Sequence, residues 1–559
     1  MLDSNHPPRF VLYLGYQFAP HKLLDRAKAL RVNMSYSRRT FLRQAGLGVA
    51  GLGLALRLPE ALAAEGGSGR KLPRSAPEAQ GVASAGILGF LEAIEKSAHE
   101  FHSFMLVRHG HVIAEGWWAP YRPELRHMLY SLSKSFTSTA VGLAVGEGKL
   151  KVEDRVVSFF PDDLPGTVSD NLAALRVKDL LTMSVGHAQD STGSITKSEN
   201  WVRTFLSLPI VYAPGTAFLY NSGATYMLSA IVQKVTGRKV LDYLTPRLFQ
   251  PLGLAGMTWE TCPRGINTGG WGLSLPTEGL AKFGQLYLQQ GAWNGRQIVP
   301  ASWVEEATSF KIQQPAGAGA DLEALKPTSD WHQGYCYQFW RCRHQAFRGD
   351  GAFGQFTVVL PDQDAVLAIT SESPNMQGEL DLVWAHLLPA MRAGALAADR
   401  PGQARLREKL AALALPPPKA QAASPLAAAI SGKSFKLETN PMGVESATFD
   451  FRNRTCLYTV KDRTGEHRLE CGIETWLEGE TTMPGMPPKL TSGNLGPRSR
   501  VAASGTWKDE KTFEMTWRFT ETPHHERVTC RFDGDKVALE FMSSVTRREK
   551  QPVLHGVCG

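Results

Sequence analysis

The sequence carries little net charge outside its first 64 residues, which argues against a nucleic-acid partner. Its 559 residues have a formal net charge of +8. Residues 1–64 hold nine lysines and arginines against three acids, a net of +6, so the rest of the chain carries only +2. A domain that binds nucleic acid usually presents a strongly basic surface. We therefore predict no nucleic-acid partner.

Paired metal-binding cysteines are also missing. None of the seven cysteines lies in a Cys-x-x-Cys pair, the spacing typical of structural zinc sites. We accordingly predict no metal and no cofactor. Four of the seven cysteines lie after residue 450, and in an oxidising compartment such residues can form disulfides. The sequence leaves their pairing open.

A hydrophobic run long enough to span a membrane is absent. The best candidate, residues 45–56, is short and rich in glycine. It follows Arg38 and Arg39 and precedes the small residues 61–64, an order that resembles a twin-arginine signal peptide. We predict that residues 34–64 are this signal and that residues 1–33 are an N-terminal extension from an over-called start. The protein would then be periplasmic or secreted, with no stable membrane span after signal removal.

Among the residues that are present, Ser131 and Lys134 are the first candidates for catalysis. They lie three positions apart at the start of an apolar run that extends to residue 146, so they share one face of a predicted helix. A serine hydroxyl becomes a good nucleophile when a neighbouring base takes its proton. A lysine in apolar surroundings has a lowered pKa and can be that base. Taken alone, the spacing is common, and a capping serine with a solvated lysine is the alternative.

A second candidate segment contains Tyr220 and Asn221. These residues end a loop just before a predicted helix over residues 224–236. A tyrosine hydroxyl near Lys134 could relay a proton from Ser131 to a leaving group. The alternative is a half-buried core tyrosine with no catalytic role.

A third candidate segment is rich in glycine. Residues 349–354 read Gly-Asp-Gly-Ala-Phe-Gly and precede two predicted strands, 355–360 and 365–370. Glycines before a strand let the backbone approach a ligand closely. Such a strand can offer a backbone N–H to a tetrahedral oxyanion. The alternative is a bulged edge strand without a ligand.

In this order, the three segments resemble the penicillin-recognising serine hydrolases, over residues 75–395. That group includes class C β-lactamases, D-alanyl-D-alanine carboxypeptidases, and their esterase and 6-aminohexanoate-oligomer hydrolase relatives. The resemblance implies that Ser131 is the acylated nucleophile and that Lys134 and Tyr220 form a general base and acid pair. It also implies an oxyanion hole made by the backbone N–H groups of Ser131 and Ala352.

The second motif departs from the family at one position. The family has tyrosine-x-asparagine, whereas this chain has Tyr220, Asn221 and Ser222. The resemblance places Ser222 where the asparagine helps to position Lys134 and the substrate, which a serine does only weakly. We count Asn221 and Ser222 among the predicted substrate-binding residues.

The third motif departs further. Where β-lactamases have lysine-threonine-glycine, this chain has Gly349, Asp350 and Gly351. The lysine that pairs with a substrate carboxylate is therefore missing. Arg348 is the predicted substitute, although Asp350 would partly cancel its field. We predict that Gly349, Gly351 and Arg348 line the site and that its preference differs from that for β-lactams or D-Ala-D-Ala peptides.

The pattern of predicted elements indicates an α+β fold followed by a small all-β domain. A predicted amphipathic helix over residues 84–100 precedes a hairpin, and the family's architecture is an antiparallel sheet flanked by helices plus an all-helical region. Residues 396–430 are predicted to be a helix and an Ala/Pro-rich linker. Residues 431–559 alternate polar and apolar side chains, which predicts a β-barrel or sandwich.

We thus predict an exported serine hydrolase that cleaves an ester or a small amide through an acyl-enzyme on Ser131. Its partner would be a small-molecule ester or amide substrate. A β-lactamase or D-alanyl-D-alanine carboxypeptidase is the alternative within the same chemistry. An alternative of another class is a non-catalytic sensor of cell-wall ligands that keeps the fold.

Overall fold

The computed structural model describes residues 71–483, 498–546 and 552–559. The predicted extension, residues 1–33, and the predicted signal, residues 34–64, lie outside this described part. Within it, no helix has both the length and the hydrophobicity needed to cross a membrane.

The described residues form an α+β domain followed by an all-β domain. The helices are α1 (Ser84–Glu95), α2 (Ser133–Gly146), α3 (Asp170–Ala174), α4 (Val177–Leu181), α5 (Thr192–Ile195), α6 (Trp201–Ser207), α7 (Ser222–Thr236), α8 (Val240–Leu244), α9 (Thr277–Leu288), α10 (Ala301–Thr308), α11 (Leu322–Leu325), α12 (Met376–Leu382), α13 (Arg400–Ala411) and α14 (Leu426–Ile430). The strands of the first domain are β1 (Glu100–Arg108), β2 (His111–Trp117), β3 (His127–Met128), β4 (Thr258–Trp259), β5 (Leu273–Leu275), β6 (Ala292–Trp293), β7 (Arg296–Gln297), β8 (Trp340–Arg341), β9 (Phe347–Gly351), β10 (Gln355–Leu360) and β11 (Ala365–Glu372). Those of the second are β12 (Ser434–Leu437), β13 (Val444–Arg452), β14 (Thr455–Asp462), β15 (Gly465–Ile473), β16 (Leu477–Thr481), β17 (Ser499–Trp507), β18 (Thr512–Phe519), β19 (His525–Asp533), β20 (Lys536–Ser543) and β21 (Val553–Cys558).

A six-stranded antiparallel sheet, in the order β2-β1-β11-β10-β9-β8, is the centre of the first domain. Because side chains alternate along a strand, Met105 and Val107 of β1 join the core on the α2 and α9 side, while Phe104 and Leu106 join the core on the α1 side. Both faces are therefore covered. The predicted helix over 84–100 is wrong at its end, because α1 stops at Glu95 and Glu100 begins the central strand pair.

Helix α2 crosses the helical part of this domain and is buried along almost its whole length. Phe136 of α2 stacks on Phe283 of α9 with ring centroids 3.9 Å apart. Burial of each large apolar side chain contributes about 2 kcal/mol to folding. The apolar run that follows Ser131 in the sequence is thus the core of the domain.

The second domain is a closed barrel of ten strands. Its order is β15-β14-β13-β12-β21-β20-β19-β18-β17-β16, and a parallel pairing of β15 with β17 closes it at Gly472–Ser504 and Ile473–Gly505. Along β14, Cys456, Tyr458 and Val460 are buried in the barrel core. The predicted fold class, an α+β domain followed by an all-β domain, is confirmed.

Candidate active site

Ser131 lies in a tight turn that leads into α2. Residues Tyr130–Leu132 form a single 3-10 turn, and α2 begins at Ser133. The Ser133 hydroxyl donates to the Tyr130 carbonyl at 2.7 Å and accepts from the Leu273 backbone N–H at 3.1 Å. These bonds fix the turn, and Ser131 itself is only half-buried, so its hydroxyl is accessible to a substrate.

The Lys134 amine is buried beside this hydroxyl. The residue is 2 % exposed, and its Nζ lies 3.0 Å from Ser131 Oγ, 2.9 Å from Ser222 Oγ and 2.7 Å from the Gly270 carbonyl oxygen. A carbonyl oxygen can only accept a hydrogen bond. A neutral amine can thus donate to Gly270 and Ser222 and keep its lone pair for the Ser131 proton.

A glycine at position 270 allows this close approach of backbone to amine. A Cβ on Gly270 would lie 2.8 Å from the Ser222 carbonyl oxygen and 3.5 Å from Lys134 Nζ. Contacts below 3.0 Å to backbone require the backbone to move. The preceding residue is also fixed, since the Thr137 hydroxyl donates to the Gly269 carbonyl at 2.9 Å. Any side chain at 270 would therefore displace the loop that carries the acceptor for Lys134.

Burial lowers the pKa of Lys134 to about 7, although the negative charges of Asp190 and Asp350 oppose this shift. An amine in water keeps its proton far above neutral pH. At neutral pH a large fraction of Lys134 is therefore unprotonated, and an unprotonated amine 3.0 Å from a hydroxyl can act as a general base.

Tyr220 is the third member of the cluster. Lys134 Nζ lies 4.8 Å from the centre of its ring, and the ring stacks on Trp340 with centroids 5.6 Å apart. Burial raises the pKa of the Tyr220 phenol well above its usual value, while a hydrogen bond with Ser131 opposes the shift. The phenol therefore keeps its proton and can give it to a leaving group. The structure brings Ser131, Lys134 and Tyr220 together, as the sequence predicts.

The two residues after Tyr220 have different positions. Ser222 faces the cluster through its bond to Lys134. Asn221 is 1 % exposed, and its Oδ1 accepts from the Gly223 N–H and the Ser191 hydroxyl. Asn221 thus caps α7 and anchors the loop, so its predicted contact with substrate is corrected to a structural role.

Strand β9 delivers the predicted oxyanion donor. A Cβ on Gly351 would overlap the Leu129 carbonyl oxygen and lie 3.1 Å from the Leu132 nitrogen, and one on Gly349 would lie 2.7 Å from Ser135 Oγ. These glycines let β9 pack directly on the nucleophile turn. Ala352, half-buried at the end of the strand, is thereby placed next to that turn.

Arg348 does not line the open site, contrary to the prediction from sequence. Its side chain is fully buried, and its guanidinium donates to Asp350 Oδ2 at 3.0 Å and to the Asp330 carbonyl at 2.8 Å. It also stacks over the rings of Trp331 and Trp340. The guanidinium is thus engaged by Asp350 and cannot meet a substrate carboxylate without rearrangement.

Two acidic groups lie near the amine, and sequence reasoning missed the effect of both on Lys134. Asp190, an exposed residue, accepts a hydrogen bond from the Ser222 backbone N–H at 3.1 Å. Asp350, which is bound by Arg348, also acts electrostatically on Lys134. Asp190 lies in a loop with no distinctive sequence pattern, so no signal in the sequence points to its place beside Lys134.

A separate acidic cluster lies at the contact between the two domains. Glu100, Glu372 and His525 place ligand-type atoms within 4.8 Å of one another. However, Arg518 donates to Glu100 at 3.0 Å, and Glu372 is bound by His524 and His525 at 3.0 and 2.9 Å. Protein cations and imidazoles thus already engage these carboxylates.

A sequence model of the family described as Beta-lactamase matches residues 80–389, which is more than half of the chain. The chain belongs to the Beta-lactamase family. The predicted resemblance is confirmed, and the protein is a serine hydrolase of this family. The matched region contains the nucleophile turn, the Tyr220 loop and strand β9.

Two curated relatives of this Beta-lactamase-family protein are hydrolases by name. A 6-aminohexanoate-dimer hydrolase from Paenarthrobacter ureafaciens is 28% identical over 298 residues, which cover 49% of this chain and 73% of the relative. A D-aminopeptidase from Brucella anthropi is 27% identical over 137 residues, which cover 24% of this chain but only 26% of that enzyme.

Some solved structures are similar to this chain at low sequence identity. An octameric penicillin-binding protein homologue from Pyrococcus abyssi has a TM-score of 0.43 at 15% identity, with 84% of this chain and 99% of that chain covered. A family VIII carboxylesterase has a TM-score of 0.41 at 15% identity, with coverage of 61% and 99%. The family assignment rests on the sequence match.

Proposed function

We propose that the protein is an exported serine hydrolase that cleaves an ester or a small amide through an acyl-enzyme on Ser131. The observation that carries this proposal is the contact between Lys134 Nζ and Ser131 Oγ at 3.0 Å. Burial lowers the pKa of that amine so that it can act as a base near neutral pH. Tyr220, whose ring centre lies 4.8 Å from Lys134 Nζ, can donate a proton to the leaving group.

In the first half of the proposed reaction, Lys134 takes the Ser131 proton while Oγ attacks the substrate carbonyl carbon. The backbone N–H groups of Ser131 and Ala352 bind the developing oxyanion, which stabilises the transition state more than the ground state. Tyr220 donates its proton to the leaving alcohol or amine and regains one from Lys134. In the second half, Lys134 takes a proton from an incoming water as its oxygen attacks the acyl carbon. That proton then returns to Ser131 Oγ as the bond to the acyl carbon breaks and the acid leaves.

The charges around the amine favour substrates without a carboxylate near the scissile bond. Asp190 and Asp350 act on Lys134, and Arg348 is engaged by Asp350. Because Asp350 already pairs with Arg348, that guanidinium does not meet a substrate carboxylate, while the charge of Asp190 repels one. We therefore favour neutral or amine-bearing esters and amides, with β-lactamase or D-alanyl-D-alanine carboxypeptidase activity as the second candidate because Ser131, Lys134 and Tyr220 are retained.

Covalent labelling tests the nucleophile. A fluorophosphonate or an activated ester should add to Ser131, and mass spectrometry of a proteolytic digest should locate the adduct there. The Ser131→Ala variant should hydrolyse p-nitrophenyl esters at least about 10³-fold more slowly, as when one member of a catalytic unit is removed. Equal rates for the variant and the wild type would disprove the proposal.

A substrate panel tests the specificity. We expect short neutral acyl esters and their amine-bearing analogues to react faster than matched esters that carry a carboxylate. Nitrocefin and a D-Ala-D-Ala peptide should be slower than the neutral esters. If nitrocefin or the peptide is fastest, the second candidate is correct, and tight binding of a muropeptide without turnover would instead support the sensor.

The export part of the proposal rests on Arg38, Arg39 and the apolar run that follows them. Residues 34–64, fused to a reporter that is active only after export, should direct it across the bacterial inner membrane. Replacement of both arginines by lysine should abolish that export. Retention of the wild-type fusion in the cytoplasm would refute periplasmic or secreted localisation.

A further inference from the structure

The barrel reaches the catalytic domain through the turn between β18 and β19. The Met128 backbone N–H donates to the Glu521 carbonyl at 2.9 Å, and the Tyr121 hydroxyl donates to the Thr522 carbonyl at 3.2 Å. The Arg126 guanidinium donates to the Glu521 carboxylate at 3.2 Å. These bonds hold the barrel turn against the segment that leads to Ser131.

One side chain of this turn, His524, contacts the residue before the nucleophile. The Tyr130 hydroxyl donates to His524 Nε2, and Tyr130 directly precedes Ser131. The imidazole is fully buried. The barrel thus bonds to the neighbour of the first predicted oxyanion donor.

The same imidazole contacts the residue after the second donor. The ring of His524 meets the ring of Phe353 edge to face, with centroids 4.6 Å apart and an interplanar angle of 87°. Phe353 directly follows Ala352, and its ring also lies 5.3 Å from that of Tyr130. A single side chain from the barrel therefore touches both sides of the predicted oxyanion hole.

A carboxylate fixes the orientation of this imidazole. His524 Nδ1 lies 3.0 Å from Glu372 Oε1. The Glu372 side chain is buried, with 3% of its surface exposed. Hydrogen bonds from His524 and His525 hold the pKa of Glu372 far below its usual value even though burial opposes this. A carboxylate only accepts, so the Nδ1 proton faces Glu372 and the Nε2 lone pair faces Tyr130.

The two residues that His524 contacts have an unfavourable backbone conformation. The φ angles are +48° at Tyr130 and +68° at Phe353, in the left-handed region that residues with a large side chain rarely adopt. Such conformations are unfavourable and persist only where neighbouring contacts hold them. The imidazole supplies one contact to each.

Resting on the proposed acyl-enzyme function, we propose that His524 is a positioning residue that sets the spacing between the two oxyanion donors, so that the barrel is part of the catalytic apparatus. Its contribution acts through Tyr130 and Phe353 and appears only when charge develops on the substrate oxygen. Loss of His524 should therefore lower kcat and leave KM nearly unchanged. A barrel that only stabilises the fold would not produce this split.

The experiment compares four variants of the full-length protein on a p-nitrophenyl ester. We expect His524→Ala to lower kcat by about 10–100-fold, with KM within about threefold of the wild type. Tyr130→Phe removes the same bond from the other side and should lower kcat by about tenfold. The double variant should be no slower than His524→Ala, because both changes delete one interaction.

His525→Ala is the matched control. His525 bonds to the other oxygen of Glu372 at 2.9 Å, so its removal perturbs the carboxylate and the domain contact but keeps the imidazole at Tyr130. We expect kcat to fall less than about threefold. An equal loss in His525→Ala and His524→Ala, or additive losses in the double variant, would overturn the positioning role.

Labelling separates this proposal from the one on which it rests. If fluorophosphonate fails to label Ser131 in the wild type, the acyl-enzyme function itself is wrong. If the wild type is labelled and His524→Ala is labelled equally fast, only the positioning role is wrong. Should His524→Ala fail to fold, Tyr130→Phe decides, since unchanged kcat in that variant overturns the role and a tenfold loss at constant KM supports it.

Discussion

At the scale of single residues, the chemistry of the site depends on the environment of one amine. Within the described part of the chain, Lys134 has no acidic partner in direct contact, and its three bonds go to two hydroxyls and a carbonyl. Burial therefore outweighs the more distant carboxylates and lowers its pKa to about 7. A lysine paired directly with a carboxylate would be held protonated and could not act as a base.

This predicts a defined pH dependence of acylation. Because Lys134 must lose its proton before it can accept the one from Ser131, kcat/KM for a neutral ester should rise with pH and level off above about 7. Stopped-flow acylation rates across a pH series on both sides of this value measure the profile. A rate that falls as pH rises through this range would exclude Lys134 as the base, and Lys134→Met should remove the inflection.

A second prediction concerns the buried pair of Arg348 and Asp350. Arg348→Met leaves the Asp350 carboxyl buried without its cation, which should lower the free energy of unfolding by about 3 kcal/mol. Arg348→Met combined with Asp350→Asn should recover part of that loss, since the unpaired charge is also removed. Urea unfolding measures both variants. If the double variant is less stable than the single one, the pair does not behave as a coupled unit.

The proposed catalytic residues could be found in the sequence because they lie in short motifs, whereas the roles of their neighbours could not. Ser131 and Lys134 share one helix face, and Tyr220 follows at the end of a loop, so local patterns sufficed. The roles of Asn221 and Arg348 depend on partners such as Ser191 and Asp330 that only the fold brings to them. No local pattern marks His524, because its contacts lie in another domain.

At the scale of elements, close packing of β9 on the nucleophile turn is the feature that builds the site. A Cβ at Gly351 would overlap backbone, whereas a Cβ at Gly349 would meet the hydroxyl of Ser135. A side-chain oxygen can move by rotation, but a carbonyl held in a turn cannot. The two glycines therefore differ in how strongly they constrain the site.

We predict that Gly351→Ala is more damaging than Gly349→Ala. Overpacking against backbone should lower the unfolding free energy by about 1–3 kcal/mol and displace Ala352 from the proposed oxyanion hole. Gly349→Ala should be milder and should be relieved by the second change Ser135→Ala. Thermal unfolding and ester turnover are the two measurements. Equal effects of the two alanines would contradict the packing argument.

Polar and apolar alternation predicts the half-buried strands of the barrel, but it does not reveal β17, whose two faces are both covered. Strands β13, β14, β18, β19 and β20 show the period of a half-buried strand, and alternation predicts each of them. Strand β17 does not alternate, because its outward residues are buried as well: Ser504 donates to the Gly472 carbonyl and Thr506 to the Gln421 carbonyl. The residues that cover β17 belong to β15 and to the segment before α14, which are distant from it in sequence. The burial of its second face could therefore not be predicted from the local pattern.

At the scale of the whole molecule, the domain contact contains buried charges that make it sensitive to acid. Glu100 of β1 is bound by His102 and by Arg518 of the barrel. Burial tends to raise the pKa of Glu100, but the His102 bond and the Arg518 charge lower it far below its usual value. The charged carboxylate therefore stabilises the folded protein.

The sign of the resulting pH dependence follows from that lowered pKa. A carboxyl with a lower pKa in the folded state contributes stability above its usual pKa and loses it as the pH falls towards the folded value. We predict that the melting temperature drops as the pH falls below about 4.5, which is the usual pKa of a glutamate. The Glu100→Gln variant should be less stable than the wild type at neutral pH, but its melting temperature should depend less on acid. Calorimetry over a pH series tests this, with the surface change Glu470→Gln as control. A wild-type melting temperature that stays constant in acid would refute it.

The bond between Tyr130 and His524 joins residues 394 positions apart. A chain truncated ahead of His524 keeps Ser131, Lys134 and Tyr220 but lacks this bond. On the positioning proposal, such a fragment would show at most the reduced turnover expected of His524→Ala.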